Sequence, residues 1–412
     1  MPWHETHIVN ERVKFVAAAQ SNTVTMKDLC EQFGITRKTG YKLLRRYEAE
    51  GVDGLRDRSR APLTRPNQLS PKLEGLILRA RRAHPTWGSK KLLVILAEQW
   101  PAERMPARST IDAVLRRAGV VEPRRVTRTR RPVPCKPVIE ALEPNDVWSI
   151  DFKGWFRLGD GVRCDPLTVN DVFSRASLLC RAMVGPKLDD VRLLLEALFW
   201  KYGLPRFMLS DNGPPFGANG LGGLSRLSVW LLRLGVIPVF IEPGRPDQNG
   251  RHERFHETLL ADAADPPRAS QRAQQAAFGA FQRCYNGERP HEALGMRRPW
   301  DLYRPSPREM PRVLRDHEYD SGFETRSVRR DGTIKWNGGY VFVGEAMARE
   351  VVGLEPVDEG RWQLWLGPIL LGVLHERSNT VVPLGRERRS QSVTDVPGHA
   401  TSAKPRRQAK LR

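Results

Sequence analysis

The sequence predicts a multidomain protein with an all-α helix-turn-helix N-terminal part, an α/β core with a mixed sheet and helices on both faces, and a small C-terminal β-barrel. Its 412 residues exceed the roughly 100 to 200 of one domain and leave room for about two to four. The texture of the chain also changes twice: helical spacing gives way to mixed strands and helices near residue 145, and after Pro311 to short strands between turns. Hydrophobic residues make up 40% of the chain, enough to build packed cores.

The charge narrows the partners. With 67 Lys+Arg against 47 Asp+Glu the net charge is +20, which points to a polyanion, either nucleic acid or an anionic membrane. No apolar run approaches the roughly 18 residues of a membrane span, and the N-terminus lacks a hydrophobic signal region and a cleavage site. A soluble, non-exported, cytoplasmic protein is expected. Cys30, Cys135, Cys164, Cys180 and Cys284 are scattered with no CxxC pair, which argues against a disulfide framework or a structural zinc site and fits a reducing compartment. Cys30 and Cys284 sit in helical patterns and read as small buried hydrophobes.

Residues 1–53 read as three short helices, ERVKFVAAAQ, MKDLCEQF and TRKTGYKLLRRYEAEG, with Phe33-Gly34-Ile35 as the tight turn of a helix-turn-helix. Thr36 can cap the third helix, whose first turns present Arg37, Lys38, Tyr41 and Lys42 to phosphates and base edges. The bland alternative is a three-helix bundle with a solvated basic face. Gly40 costs ~1 kcal/mol relative to alanine inside a helix, so either the helix is marginal there or a backbone comes close. Residues 54–70, rich in Arg, Pro and Ser, read as a linker that buries little. Residues 71–120 form a second helical, helix-turn-helix-like unit around Trp87-Gly88, equally a DNA-binding module or a packing spacer. Residues 121–144 are a basic Pro/Arg linker. Its Arg124, Arg125, Arg128, Arg130 and Arg131 suit an extended arm along DNA phosphates, or simply a solvated connection.

Residues 145–310 alternate strands and helices. VWSIDFKGWFRL, LTVNDVFSRASLLCRAMV, RFMLSD and VIPVFIE have strand patterning, whereas DDVRLLLEALFWKYG, LSRLSVWLLRLG and NGRHERFHETLLADA read as helices, the last capped by Asn249. Residues 311–384 hold TRSVRRDGTIKW, GGYVFVG, EVVGLEPV, RWQLWLG and ILLGVLHE between Asn-Gly, Asp-Gly and Gly-rich turns, the pattern of a small barrel. Residues 385–412 carry eight Lys/Arg and two acids with almost nothing to bury, and are expected to be a disordered basic tail.

Three acids stand out by position. Asp151 lies inside an apolar strand, where an unpaired charge is costly; Asp211 ends a later strand; Glu253 sits one turn into a helix. Singly each has a dull explanation, such as a turn for Asp211 or a surface ion pair for Glu253. Together, with 59 and 41 residues between them and with the strings WSIDFKGWF, LSDNGPPF, PGRPDQNGRHERFHETL and YNGERPHEALGMRRPWDLY, the sequence resembles the DDE integrase core of bacterial insertion-sequence transposases and retroviral integrases. The N-terminal helix-turn-helix, the WGSKKL unit and the strand-rich C-terminal piece resemble the insertion-sequence branch. Two departures stand out. The interval from Asp211 to Glu253 is longer than is usual in the family, with the surplus around GANGLGGLSRLS. In addition, His4 and His7 lack the partner cysteines of the retroviral zinc module.

The resemblance implies an RNase H-like fold in which Asp151, Asp211 and Glu253 converge as catalytic and metal-binding residues. They would hold Mg²⁺ or Mn²⁺, two ions in all, for metal-dependent cleavage and strand transfer. It implies double-stranded DNA as partner, both element ends and target, and a homodimer or higher homo-oligomer that pairs the ends. Asn249, Arg254 and His256 near Glu253, and Asn286, Arg289 and His291 further on, suit either phosphate holding or capping and core hydrogen bonds. A catalytically inactive helix-turn-helix DNA-binding protein and an RNase H-like nuclease remain the alternatives.

Overall fold

The computed structural model of the chain describes residues 8–58, 69–121 and 138–384. They fall into two compact units divided after Ser70. His4, His7, Cys135, the five arm arginines and the tail 385–412 lie outside the described residues. No helix among the described residues is long and apolar enough to cross a membrane.

The first unit holds α1 (Ile8–Gln20), α2 (Met26–Gln32) and α3 (Arg37–Glu50). Phe15, Val16, Leu29, Cys30 and Leu43 form its core. The Thr36 hydroxyl accepts from the Thr39 amide at 3.3 Å, the cap expected from sequence. Gly40 is buried because a Cβ there would meet Cys30 Sγ at 2.8 Å and Phe15 Cζ at 2.9 Å. What comes close is a pair of side chains and not a backbone, so the glycine lets α3 seat on the other two helices. The stretch after residue 53 is not all linker: a 3-10 turn, Gly51–Leu55, returns Leu55 to the core, where it is fully buried.

The second unit begins with α4 (Pro71–Ala83), α5 (Ser89–Gln99) and α6 (Arg108–Arg117), packed on Leu76, Ile77, Trp87, Leu92, Ile111 and Val114. These helices dock on the α/β core through Thr86 to Asp262 at 2.6 Å, Lys90 to Glu292 at 2.5 Å and Arg298 to Glu98.

The core sheet comprises β1 (Val147–Phe152), β2 (Phe156–Arg157), β3 (Arg163–Asp171), β4 (Ser177–Met183), β5 (Phe207–Ser210) and β6 (Ile237–Phe240). Its order is β2-β3-β1-β5-β6, with β4 also on β3; the β1/β3 and β3/β4 pairs are antiparallel, β1/β5 and β5/β6 parallel. Strand alternation splits β1 between two faces. Trp148 and Ile150 pack with Val191, Leu195 and Phe199 of α7 (Leu188–Tyr202) and Trp230 of α8 (Arg226–Arg233). Ser149 and Asp151 lie on the other face, which carries α9 (Gly250–Leu259) and α10 (Gln271–Gly287). Below them Phe255, Leu259, Phe278 and Phe281 pack on Cys164 and Cys180. Cys284 is only half-buried, unlike the buried Cys30.

The C-terminal strands do not close a barrel. β7 (Glu324–Ser327), β10 (Val351–Asp358), β11 (Arg361–Leu366), β12 (Ile369–His375) and β13 (Thr380–Pro383) form an open antiparallel sheet in the order β13-β12-β11-β10-β7, and β8 (Thr333–Trp336) with β9 (Gly339–Phe342) makes a separate hairpin. The hairpin lies beside both edge strands without joining their ladders. TRSVRRDGTIKW is broken into β7 and β8 at Asp331, whose carboxylate accepts from the Thr333 amide at 3.1 Å and hydroxyl at 2.7 Å. The surplus GANGLGGLSRLS segment has a use in this region. A Cβ at Gly222 would meet Leu371 of β12 at 2.8 Å, and Leu224, Val229 and Leu232 share a core with that sheet.

Candidate active site

Sheet register brings the first two carboxylates to one level. In the parallel β1/β5 pair Val147 stands opposite Phe207 and Ser149 opposite Leu209. The same offset, carried to the strand ends, sets Asp151 opposite Asp211. Neighbouring strands lie ~4.8 Å apart and aligned residues share a face, so two anions are forced together at the sheet's C-terminal edge. Their repulsion registers on Asp151: burial, then the Asp211 charge and, more weakly, the Glu253 charge push its carboxyl up to about 7, against the Phe152 amide and the Lys153 charge. Asn249 Nδ2 donates to Asp151 Oδ2 at 3.3 Å. It makes no side-chain cap on α9. The Gly213 amide donates to Asp211 Oδ1 at 3.2 Å.

Glu253 lies in the first turn of α9, exposed. Its charge is felt by Asp151, but among the described residues no three His, Cys, Asp or Glu side chains stand close enough to form a ready-made metal cage. The donor chemistry nonetheless fits a hard divalent cation. Carboxylate oxygens are its preferred ligands, and the repulsion borne by Asp151 is what a dication between these acids would relieve.

What fixes α9 against the sheet is a buried polar lock that the sequence reading missed. His252 Nδ1 meets Ser149 Oγ at 2.8 Å, while Thr168 Oγ1 meets His252 Nε2 at 2.6 Å and His256 Nε2 at 2.8 Å. The same hydroxyl donates to the Asp151 carbonyl at 3.1 Å. A hydroxyl has one proton and two lone pairs. With its proton on Asp151, the Thr168 hydroxyl is left to accept Nε2–H from both histidines, and Ser149 Oγ, which also donates to the Asn170 carbonyl at 3.4 Å, ties His252 Nδ1 to the sheet. Burial keeps both rings neutral, taking His256 down to about 3 and His252 well below its usual range. The sequence does hold the signal: Ser149/Asp151 and Thr168/Asn170 are alternate polar positions in apolar strands, facing His252 and His256 one helical turn apart.

Arg37, Lys38, Tyr41 and Lys42 are all exposed on α3. Asn286 is a core residue: its side-chain amide bonds the Ser177 amide and carbonyl, each at 2.8 Å. Arg289 is buried on Asp262 at 2.8 Å.

Residues 141–246, which contain Asp151 and Asp211, and residues 234–299, which contain Glu253, match families described as integrase core domains. Residues 141–299 are thus similar to an integrase core domain. Ahead of this core, residues 11–62 match a helix-turn-helix domain and residues 39–115 a homeodomain-like domain. The chain is similar to the insertion element IS476 uncharacterized 39.2 kDa protein of Xanthomonas euvesicatoria, 28% identical over 56% of this chain and 64% of that protein. It is also similar to the insertion element IS407 uncharacterized 31.7 kDa protein of Burkholderia multivorans, 29% identical over 46% of this chain and 66% of that protein. The chain thus spans just under two thirds of each relative's length. Among solved structures, the HTLV-2 integrase catalytic core domain in complex with magnesium aligns with 40% of this chain and 99% of its own, at 16% identity and a TM-score of 0.30.

Proposed function

We propose that the protein is the transposase of an insertion sequence, with an RNase H-like core that binds the terminal inverted repeats and catalyses DNA cleavage and strand transfer at Asp151, Asp211 and Glu253. The observation that carries this reading is the register-enforced pairing of Asp151 with Asp211 at the edge of a parallel strand pair, within the field of Glu253 on the adjoining helix. Mg²⁺ or Mn²⁺ held by these three residues, two ions in all, would supply Lewis-acid stabilisation of the attacking and leaving oxygens of an in-line phosphoryl displacement.

The chain's own groups do the positioning. Asn249 orients the Asp151 carboxylate, and the Thr168 lock ties α9, and with it Glu253, to the strand that bears Asp151. No side chain need act as nucleophile. Water opens the phosphodiester at the element end and leaves a 3′-hydroxyl; that oxygen then bonds the target phosphorus as the target's own P–O bond breaks. Arg37, Lys38, Tyr41 and Lys42 read the repeat, and the arginines of the 121–144 segment follow phosphates. Pairing of two ends requires a dimer or larger assembly on DNA. The protein acts where the DNA is, in the cytoplasm of a bacterium.

Incubation of the chain with duplexes bearing the element's ends and a target plasmid, with Mg²⁺ or with chelator, tests the reading. Metal-dependent joined products are expected. Binding without any cleavage would instead identify an inactive helix-turn-helix protein, and cleavage without joining an RNase H-like nuclease.

A further inference from the structure

Behind the catalytic helix, on the face of α9 that turns away from the carboxylates, lies a cleft of about 660 Å³ between α5, α9 and the loop after α10. Neither Asp151, Asp211 nor Glu253 lines it. Gly250, Arg251, Arg254 and Thr258 contribute the α9 wall, Lys91 comes from α5, and Arg175 from the β3–β4 turn.

The charges in this cleft do not balance. Three acids line it, and each is already engaged. Asp171 accepts from the amides of Asn145 and Ser174 and from the Ser174 hydroxyl. Asp247 is paired with Arg245 at 3.0 Å, and Glu292 with Lys90 at 2.5 Å. Arg289 is held by Asp262. Lys91, Arg175, Arg251 and Arg254 make no ion pair among the described residues within 4.0 Å, and Arg175 Nε is buried without a hydrogen-bond partner. The cations strain against one another. Burial, then the Arg251 charge, lowers Arg175 to about 10, and burial followed by Arg289 lowers Lys91 to about 8. Lys91 and Arg175 are half-buried and Arg251 and Arg254 exposed at the mouth, a concentration of unpaired positive charge around open space that attracts an anion.

We infer that this cleft is a second DNA site, which takes phosphodiester groups through Lys91, Arg175, Arg251 and Arg254. The inference rests on the reading of the chain as a DNA-acting enzyme and deepens it. Arg251 and Arg254 bracket Glu253 in sequence, and Ser149 of the cleft wall lies two residues before Asp151. A backbone seated here is therefore held one helix face away from the acids. The guanidinium fork suits paired phosphate oxygens, and Lys91 acts as a point charge.

The test reads binding alone, with the full chain in chelator. Affinity for a fluorescent duplex is measured over roughly 50 to 200 mM salt, where each phosphate contact contributes a slope of about 0.9 in log K against log salt. Arg251→Gln, Arg254→Gln and Lys91→Gln should each lower the slope by about one contact, and together by about two to three. Arg254→Lys should retain its share. Arg272→Gln with Arg283→Gln, both exposed on α10, controls for net charge and should leave the slope unchanged. Duplexes of element-end and arbitrary sequence separate the two sources of phosphate. A loss on both assigns the cleft to any DNA, and a loss on the element end alone assigns it to that end. A wild-type slope in the triple variant, or an equal fall in the α10 control, overturns the inference. Either result leaves metal-dependent joining by the wild-type chain standing, whereas failure of joining alone would remove the transposase reading and keep the slopes.

Discussion

Replacing Asp151 with asparagine should make the metal-free protein more stable than wild type at about pH 8 and no more stable near pH 4, because the variant removes a charge that the fold repels. The folded carboxyl is pushed up to about 7, whereas its ordinary value is 3.8. Between these values the unfolded chain has released the proton and the folded chain still holds it, so stability falls as pH rises through the window and is lowest above the folded value. At 1.36 kcal/mol per pH unit the ceiling is about 4 kcal/mol, and water reaching the half-buried group brings the expected gain to the order of 2–3 kcal/mol. The variant keeps the partner of Asn249, since an amide oxygen accepts as well. Thermal or urea unfolding of the core in chelator, with both proteins at each pH, gives the number. The difference between them isolates this carboxyl from His252, His256 and His291, whose lowered values make stability rise with pH. Mg²⁺ at about 100 times its Kd should then close the gap and at about 1,000 times reverse the ranking, because it stabilises wild type by ~2.7 and ~4.1 kcal/mol respectively and finds a ligand missing in the variant. If Asp151→Asn were less stable than wild type at about pH 8 in chelator, the picture of crowded, mutually repelling acids would be wrong.

Other outcomes follow from the same contacts. Thr168→Val keeps the shape but strands two Nε2–H donors and the Asp151 carbonyl; a loss on the order of 2–4 kcal/mol is expected in chemical unfolding, with joining activity lowered even at temperatures where the variant is folded. Gly40→Ala gains helix propensity but overlaps Cys30 and Phe15, so unfolding of the isolated first unit should show a net loss of about 1–2 kcal/mol. Alanine at Arg37, Lys38, Tyr41 and Lys42, all exposed, should leave the melting temperature unchanged. In competition binding it should cut the preference for element-end over arbitrary DNA by about 1–3 kcal/mol per base contact.

Much of this architecture was legible because its signals are local. Thr36 capping α3, the helical spacing of α7 and α8, and the alternation in β1 and β3 each depend on a few neighbouring residues, and Asp151 in an apolar strand already called for compensation. What escaped was set by packing across the chain. Leu55 follows a basic linker pattern yet fills the first core, and Asn249 looks like a cap but reaches a carboxylate 98 positions away. Closure of the C-terminal strands depends on ladder pairing between edges, which alternation within strands does not encode. The partnering of His252 with Thr168 required knowing which helix covers which sheet face, and the basic cleft required three separated elements to meet. The Gly-rich insertion read as slack in a loop, whereas its lack of side chains is what lets it seat on β12.

The central claim, that Glu253 completes a carboxylate site with Asp151 and Asp211, is tested most directly by strand transfer with Glu253→Gln. This exposed position tolerates the amide without a packing cost, so the fold and the binding of element ends should persist while joined product in Mg²⁺ falls by orders of magnitude. Joining at a near wild-type rate by this variant would contradict the account.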